Sequence, residues 1–202
     1  MNSNKLYLVF SVCLFLLLGC GQPKLSPLSP NDVIVAFGDS LTVGVGVDES
    51  YSYPNVLSRL TGMTVIGAGV SGETTQEGVV RFHQVIEQHN PDLIVLLEGG
   101  NDILRNHSSQ QTEQNLSDMG QMARERDIQI VLIGVPEKRL FSDSAPFYDR
   151  IAEQYDLAYD PDVIGQLMRD ASMKSDPIHF NRDGYAALAE RVYELLSEHG
   201  AL

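Results

Sequence analysis

The chain has 202 residues, 43% of them hydrophobic and 20% charged, with no Trp and a formal net charge of −13. That length suits one domain with a sizeable core. The thin scatter of 14 Lys and Arg against 27 Asp and Glu excludes nucleic acid as a partner and excludes charge-driven docking of the domain on anionic lipid, since both need a clustered basic face.

At the N-terminus, Lys5 precedes an apolar run from Leu6 to Leu18 that only Ser11 interrupts. At about a dozen residues it is shorter than the roughly 20 that span a bilayer, and it has the length of a signal-peptide core. The run ends in Leu17-Leu18-Gly19-Cys20, which resembles the bacterial lipoprotein lipobox, whose Cys is acylated and becomes the first mature residue. Leu18 stands where a small residue is more usual; a plain secretory signal or an uncleaved anchor are the alternatives. The only cysteines are Cys13, inside the run, and Cys20, so the mature domain has neither a disulfide nor a catalytic or metal-binding thiol. Residues 21–30, GQPKLSPLSP, contain three prolines and two serines and read as an extended tether. The expected organisation is a signal peptide over 1–19, a lipidated Cys20 with a flexible tether to residue 31, and one domain over 32–202. The expected place is the periplasm or cell surface, with the chain held to a membrane through Cys20.

From residue 33 the pattern alternates. VIVAF (33–37) has strand length, and a short helix is expected over Tyr53–Leu60. MTVIGA (63–68) is a second strand, followed by a helix over Thr74–Gln88 with Val79, Phe82, Val85 and Ile86 on one face. DLIVLLE (92–98) is a third strand, apolar throughout as a strand buried on both faces should be. A helix over Gln110–Arg126 leads to a fourth strand, IQIVLIGV (128–135). Helices over Ser144–Tyr155 and Pro161–Arg169 flank a short fifth strand at Leu157–Tyr159, and Asp183–His199 closes the chain as an amphipathic helix. Strand–helix alternation with buried strands predicts an α/β fold, a parallel sheet with helices on both faces.

Chemistry in such a sheet collects at the carboxyl ends of the strands. Gly38-Asp39-Ser40 follows the first strand, Gly69–Gly72 the second, and Gly99-Gly100-Asn101-Asp102 the third. Gly67-x-Gly69-x-x-Gly72 also matches the dinucleotide fingerprint, with Glu98 placed to hold a ribose. That reading leaves Ser40, Asn101 and the Asp176/His179 pair without a purpose, and the fingerprint strand normally opens its unit instead of coming second. A hydrolytic reading uses all of them. Ser40 sits on a sharp strand-to-helix turn, and its weak hydroxyl needs a base, for which His179 is the candidate. Asp176, three residues earlier, can turn back to fix the imidazole tautomer. Gly72 can offer an unobstructed backbone N–H to an oxyanion, and Asn101 its side-chain amide.

GDSLT, GVSGETT, GGND and DPIHFN, in this order, resemble the four blocks of the GDSL or SGNH hydrolase superfamily over residue 33 to about 200. AGVSGETTQEG and LEGGND are most similar to its bacterial arylesterase, acyl-thioesterase and lysophospholipase branch. The resemblance implies a three-layer flavodoxin-like fold, a nucleophile at Ser40, and a base at His179 held by Asp176. It implies oxyanion donors at the Ser40 N–H, Gly72 and Asn101, a small acyl-ester or lipid substrate, and no cofactor. The branch usually has Gly after the Asp and Pro after the His of the last block; here Pro177 and Phe180 stand there, the latter expected beside the base. A carbohydrate or cell-wall O-acetylesterase and an idle lipid- or glycan-binding module are the other readings. Gly44 and Gly46 fit a mobile loop or a plain turn, and residues 136–148 fit either an acyl pocket wall or ordinary loop packing. His83 and His89 lack metal-ligand spacing and read as surface residues, and Asp102 as an organiser of its turn.

Overall fold

The computed structural model describes residues 24–138 and 144–202. Its centre is a five-stranded sheet of β1 (Val33–Gly38), β2 (Thr64–Gly69), β3 (Leu93–Leu97), β4 (Gln129–Ile133) and β5 (Ala158–Asp160). The spatial order is β2-β1-β3-β4-β5 and every pairing is parallel, with Val35 in register with Ile66 on one side and Ile94 on the other. Every residue of β3 is buried, the outcome its unbroken apolar run predicts for a strand covered on both faces. β2, at the edge, stays half-exposed.

The helices are α1 (Ser40–Val43), α2 (Tyr53–Thr61), α3 (Thr75–His89), α4 (Gly100–Leu104), α5 (Ser109–Arg124), α6 (Pro146–Tyr155), α7 (Val163–Arg169) and α8 (Arg182–Glu198). α2 packs on α8, whereas α3, α5 and α6 pack in succession, giving a helical layer on each side of the sheet. The periodic face expected for α3 is present: Phe82, Val85 and Ile86 are buried, and Phe82 meets Phe37 of β1 edge-on at 5.0 Å. Thr74 and Glu77 start α3 with a reciprocal capping box. α6 begins at Pro146, two residues later than expected, because Ser144 is drawn into a bridge with Pro136. α7 begins at Val163, since the Asp160 carboxylate holds the Asp162 and Val163 amides at 2.8 Å.

The flexible tether needs correction from Lys24 onward. Leu25 is buried, its N–H donates to the His199 carbonyl at 3.1 Å, and Leu28 N–H donates to Ala201 at 2.8 Å. The Gln129 carboxamide brackets Ser26, accepting from its N–H at 2.6 Å and donating to its carbonyl at 3.3 Å. Lys24 Nζ donates to the Leu157 carbonyl at 3.0 Å and pairs with Asp156. Residues 24–29 form no helix or strand of their own, so the Leu25, Ser26 and Leu28 amides are left to pair with the domain. The segment therefore runs under the starts of β5, β4 and β1. The expected signal peptide and the expected lipidation site Cys20 lie outside the described residues.

Candidate active site

The order β2-β1-β3 makes chain direction diverge at β1 and β3, and the crevice above their carboxyl ends is where such sheets hold ligands. Ser40 opens α1 there. Asp39 caps that helix by accepting the Leu41 amide at 3.0 Å, and Gly44, at φ +84°, ends it. A side chain at Gly38 would strike the Leu97 carbonyl, so only glycine lets β1 approach β3 closely enough to set the turn.

His179 arrives from the loop between α7 and α8. Asp176 Oδ1 accepts the Ile178 and His179 amides, each at 2.8 Å, and Oδ2 meets His179 Nδ1 at 2.8 Å. The His179 amide, its ring and the Ile178 amide together hold the Asp176 carboxyl down at about 2. An ionised Asp176 only accepts, so Nδ1 carries the proton and Nε2 is left as acceptor. Nε2 faces Ser40 Oγ at 3.0 Å. The loop is pinned from behind: Phe180 is fully buried, stacks edge-on with Tyr185 at 5.6 Å, and lies in the core instead of beside the base. Gly46, at φ +100°, packs against Ser175 of the same loop. Gly44 and Gly46 thus form a packed turn.

Gly72 and Asn101 line the same cavity as Ser40 and His179. Gly72 has φ +81°, and Arg105 donates to its carbonyl at 2.9 Å. Asn101 Nδ2 donates one hydrogen to Asp39 Oδ2 at 3.2 Å, which orients the carboxamide. Asp102 organises its turn, as expected: it accepts the Thr75 amide at 2.8 Å and the Thr75 hydroxyl at 2.7 Å. That carboxylate ties the strand end carrying Asn101 to the turn carrying Gly72. Burial pushes Asp39 up to about 6 against the opposing pull of the Leu41 amide and His179. Burial also pushes Glu98 well above the ordinary carboxylate range, with Asp39 adding to it. Glu98 Oε2 has no hydrogen-bond partner among the described residues, which fits a neutral carboxyl buried in the protein and closed to any ribose.

Of the fingerprint glycines, Gly69 serves packing. A Cβ on Gly69 would lie 2.5 Å from the Val43 nitrogen, so this residue lets β2 press against the turn that carries Ser40. β2 is moreover an edge strand, whereas a dinucleotide fingerprint belongs to the central one.

The cavity measures about 630 Å³, and Leu41, Val45, Ile103, Leu104, Met168 and Ile178 form its apolar walls. Of residues 136–148, Pro136, Glu137 and Lys138 reach it, whereas Phe147 and Tyr148 belong to the core. Leu140 and Phe141 lie outside the described residues. Sequence reasoning missed Asp39 and Arg105 as supports of the site, and Ile103, Leu104 and Met168 as wall. The signal available for the wall was two apolar residues directly after Asn101-Asp102. His83 is exposed and pairs with Glu87 one turn away.

A hydroxyl hydrogen-bonded to an imidazole that a carboxylate holds in turn, on a cavity shared with Gly72 and Asn101, defines the serine hydrolase class. Residues 36–187 match the model of the GDSL-like lipase/acylhydrolase family, and the chain belongs to that family. It is 29% identical over 167 residues to thioesterase 1/protease 1/lysophospholipase L1 of Escherichia coli, covering 79% of this chain and 80% of that one. It is 28% identical over 180 residues to an arylesterase of Vibrio mimicus, covering 84% and 90%. Among solved structures, the SGNH-hydrolase family esterase AlinE4 superposes with a TM-score of 0.66 at 31% identity, covering 85% of this chain and 97% of that one. The protein is a serine ester hydrolase.

Proposed function

We propose that the protein cleaves acyl esters or thioesters with an apolar acyl group, from an exported position held by a lipid on Cys20. The observation that carries this reading is the Ser40–His179–Asp176 line, at 3.0 and 2.8 Å, opening onto the apolar cavity of about 630 Å³. A volume in that range takes a drug-sized ligand. The E. coli relative, named thioesterase and lysophospholipase, supports the ester and thioester classes.

In the first step His179 Nε2 takes the Ser40 proton while Oγ attacks the acyl carbon. The Ser40 N–H, the Gly72 N–H and the Asn101 carboxamide receive the developing oxyanion. Collapse expels the alcohol or thiol, which takes its proton from His179 and leaves an acyl-Ser40. Water, deprotonated by His179, then attacks that acyl carbon; the acid leaves and Ser40 regains its proton. Asp176 stays ionised throughout and stabilises the imidazolium.

The test is turnover of p-nitrophenyl esters from acetyl to palmitoyl, with Ser40→Ala and His179→Ala alongside. Each substitution should lower kcat by roughly 10⁴-fold or more with an unchanged Tm. A medium- or long-chain optimum supports this reading, and an acetyl optimum shifts it to an O-acetylesterase. Wild-type turnover that survives either substitution overturns the assignment.

A further inference from the structure

The docked segment fixes where a lipid on Cys20 can be. Lys24 and Leu25 are held at the Leu157 and His199 carbonyls, and Ser26 at Gln129, the first residue of β4. These contacts lie at the amino ends of the strands. Ser40, Gly72 and Asn101 follow the carboxyl ends of β1, β2 and β3. Five or six residues per strand, at about 3.3 Å each, set those two edges about 16–20 Å apart.

Cys20 precedes Lys24 by four residues, a reach of at most about 14 Å. Were the segment free, the twelve residues from Cys20 to Asp32 would reach about 40 Å and the domain could tumble over the bilayer. Docked, it cannot bring its mouth down. We infer that the contacts of Lys24–Leu28 with the amino-terminal edge of the sheet turn the catalytic mouth away from the membrane that holds Cys20. The enzyme then draws acyl esters from the aqueous phase and not from its own leaflet. This rests on the anchored-esterase reading above.

The experiment uses the full chain, purified in detergent and incorporated into phosphatidylcholine vesicles, beside a form released by proteolysis before Lys24. Mass spectrometry for acyl on Cys20 and turnover of water-soluble p-nitrophenyl butyrate come first. Failure of either overturns the anchored-esterase reading and this inference with it. With both in hand, the probe is a long-chain 4-methylumbelliferyl ester held in the same vesicles. Sharing a membrane with a substrate ordinarily raises its effective concentration by orders of magnitude. Here the anchored enzyme should cleave the membrane-held ester no more than about two-fold faster than the released form. A variant with about 20 Gly and Ser residues inserted between Gln22 and Pro23 leaves the docked residues intact and lengthens the leash by roughly 25 Å. It should gain at least about ten-fold on the membrane-held ester, with butyrate turnover unchanged. A ten-fold advantage of the anchored wild type overturns the inference, and so does an insertion variant that gains nothing.

Discussion

Asp39 accepts the Leu41 amide at 3.0 Å and the Asn101 carboxamide at 3.2 Å, so it holds both the Ser40 turn and the Asn101 side chain, the oxyanion donor proposed above. Asp39→Asn keeps an acceptor for Leu41 but sets an amide against Asn101. We expect kcat to fall by roughly ten- to a hundred-fold with KM little changed, because an oxyanion donor acts mainly in the transition state. The same substitution should alter stability in a defined pH window. The folded carboxyl titrates near 6, above its ordinary 3.8. Its contribution is therefore fully present below about pH 3.8 and lost as pH rises through about 6, on the order of 3 kcal/mol. Urea unfolding between pH 4 and 8 should show wild type losing stability that Asp39→Asn retains; parallel curves would remove this role. Glu98 is raised in the same direction, and burial favours its neutral form, so Glu98→Gln should leave Tm within about 2 °C and kcat/KM within about two-fold.

The elements that hold these residues differ in how plainly the sequence announces them. β3 and β4 are long apolar runs and α3 has a helical stripe, so their patterns could be read directly. α1 and α4 have four and five residues, too few for any period, yet they carry Ser40 and Asn101. Their presence was legible only as glycine-rich polar turns after strands. The Asp176–His179 contact was legible because it closes within three residues, whereas Asp39 and Asn101 meet across 62 and left no local trace. The docking of Lys24–Leu28 was hidden for the same reason, since its partners lie more than 100 residues away. The turn behind the His179 loop gives a test at this scale. A Cβ on Gly46 would lie 2.2 Å from Ser175 Oγ and 3.1 Å from the Phe180 carbonyl, in a backbone conformation that side chains avoid. Gly46→Ala should cost about 1–3 kcal/mol and lower kcat by displacing His179, measured by thermal melting and ester turnover. Wild-type values for both would mean the loop is positioned by other contacts.

For the molecule as a whole, the N-terminal stretch belongs to the fold. A chain beginning at Asp32 forfeits the burial of Leu25 and the backbone bonds to His199 and Ala201. Compared with one beginning at Lys24, it should be less stable by roughly 2–3 kcal/mol, a Tm lower by about 5–10 °C, with the same kcat at 25 °C. The parallel sheet has a further consequence. Ser40 and His179 are 139 residues apart, and each neighbouring strand pair is closed by a long crossover. Such pairings form slowly because loop closure precedes any contact that rewards it. Ester turnover thus reports completion of the last crossover: in refolding from urea, activity should return later than the far-ultraviolet signal of the helices.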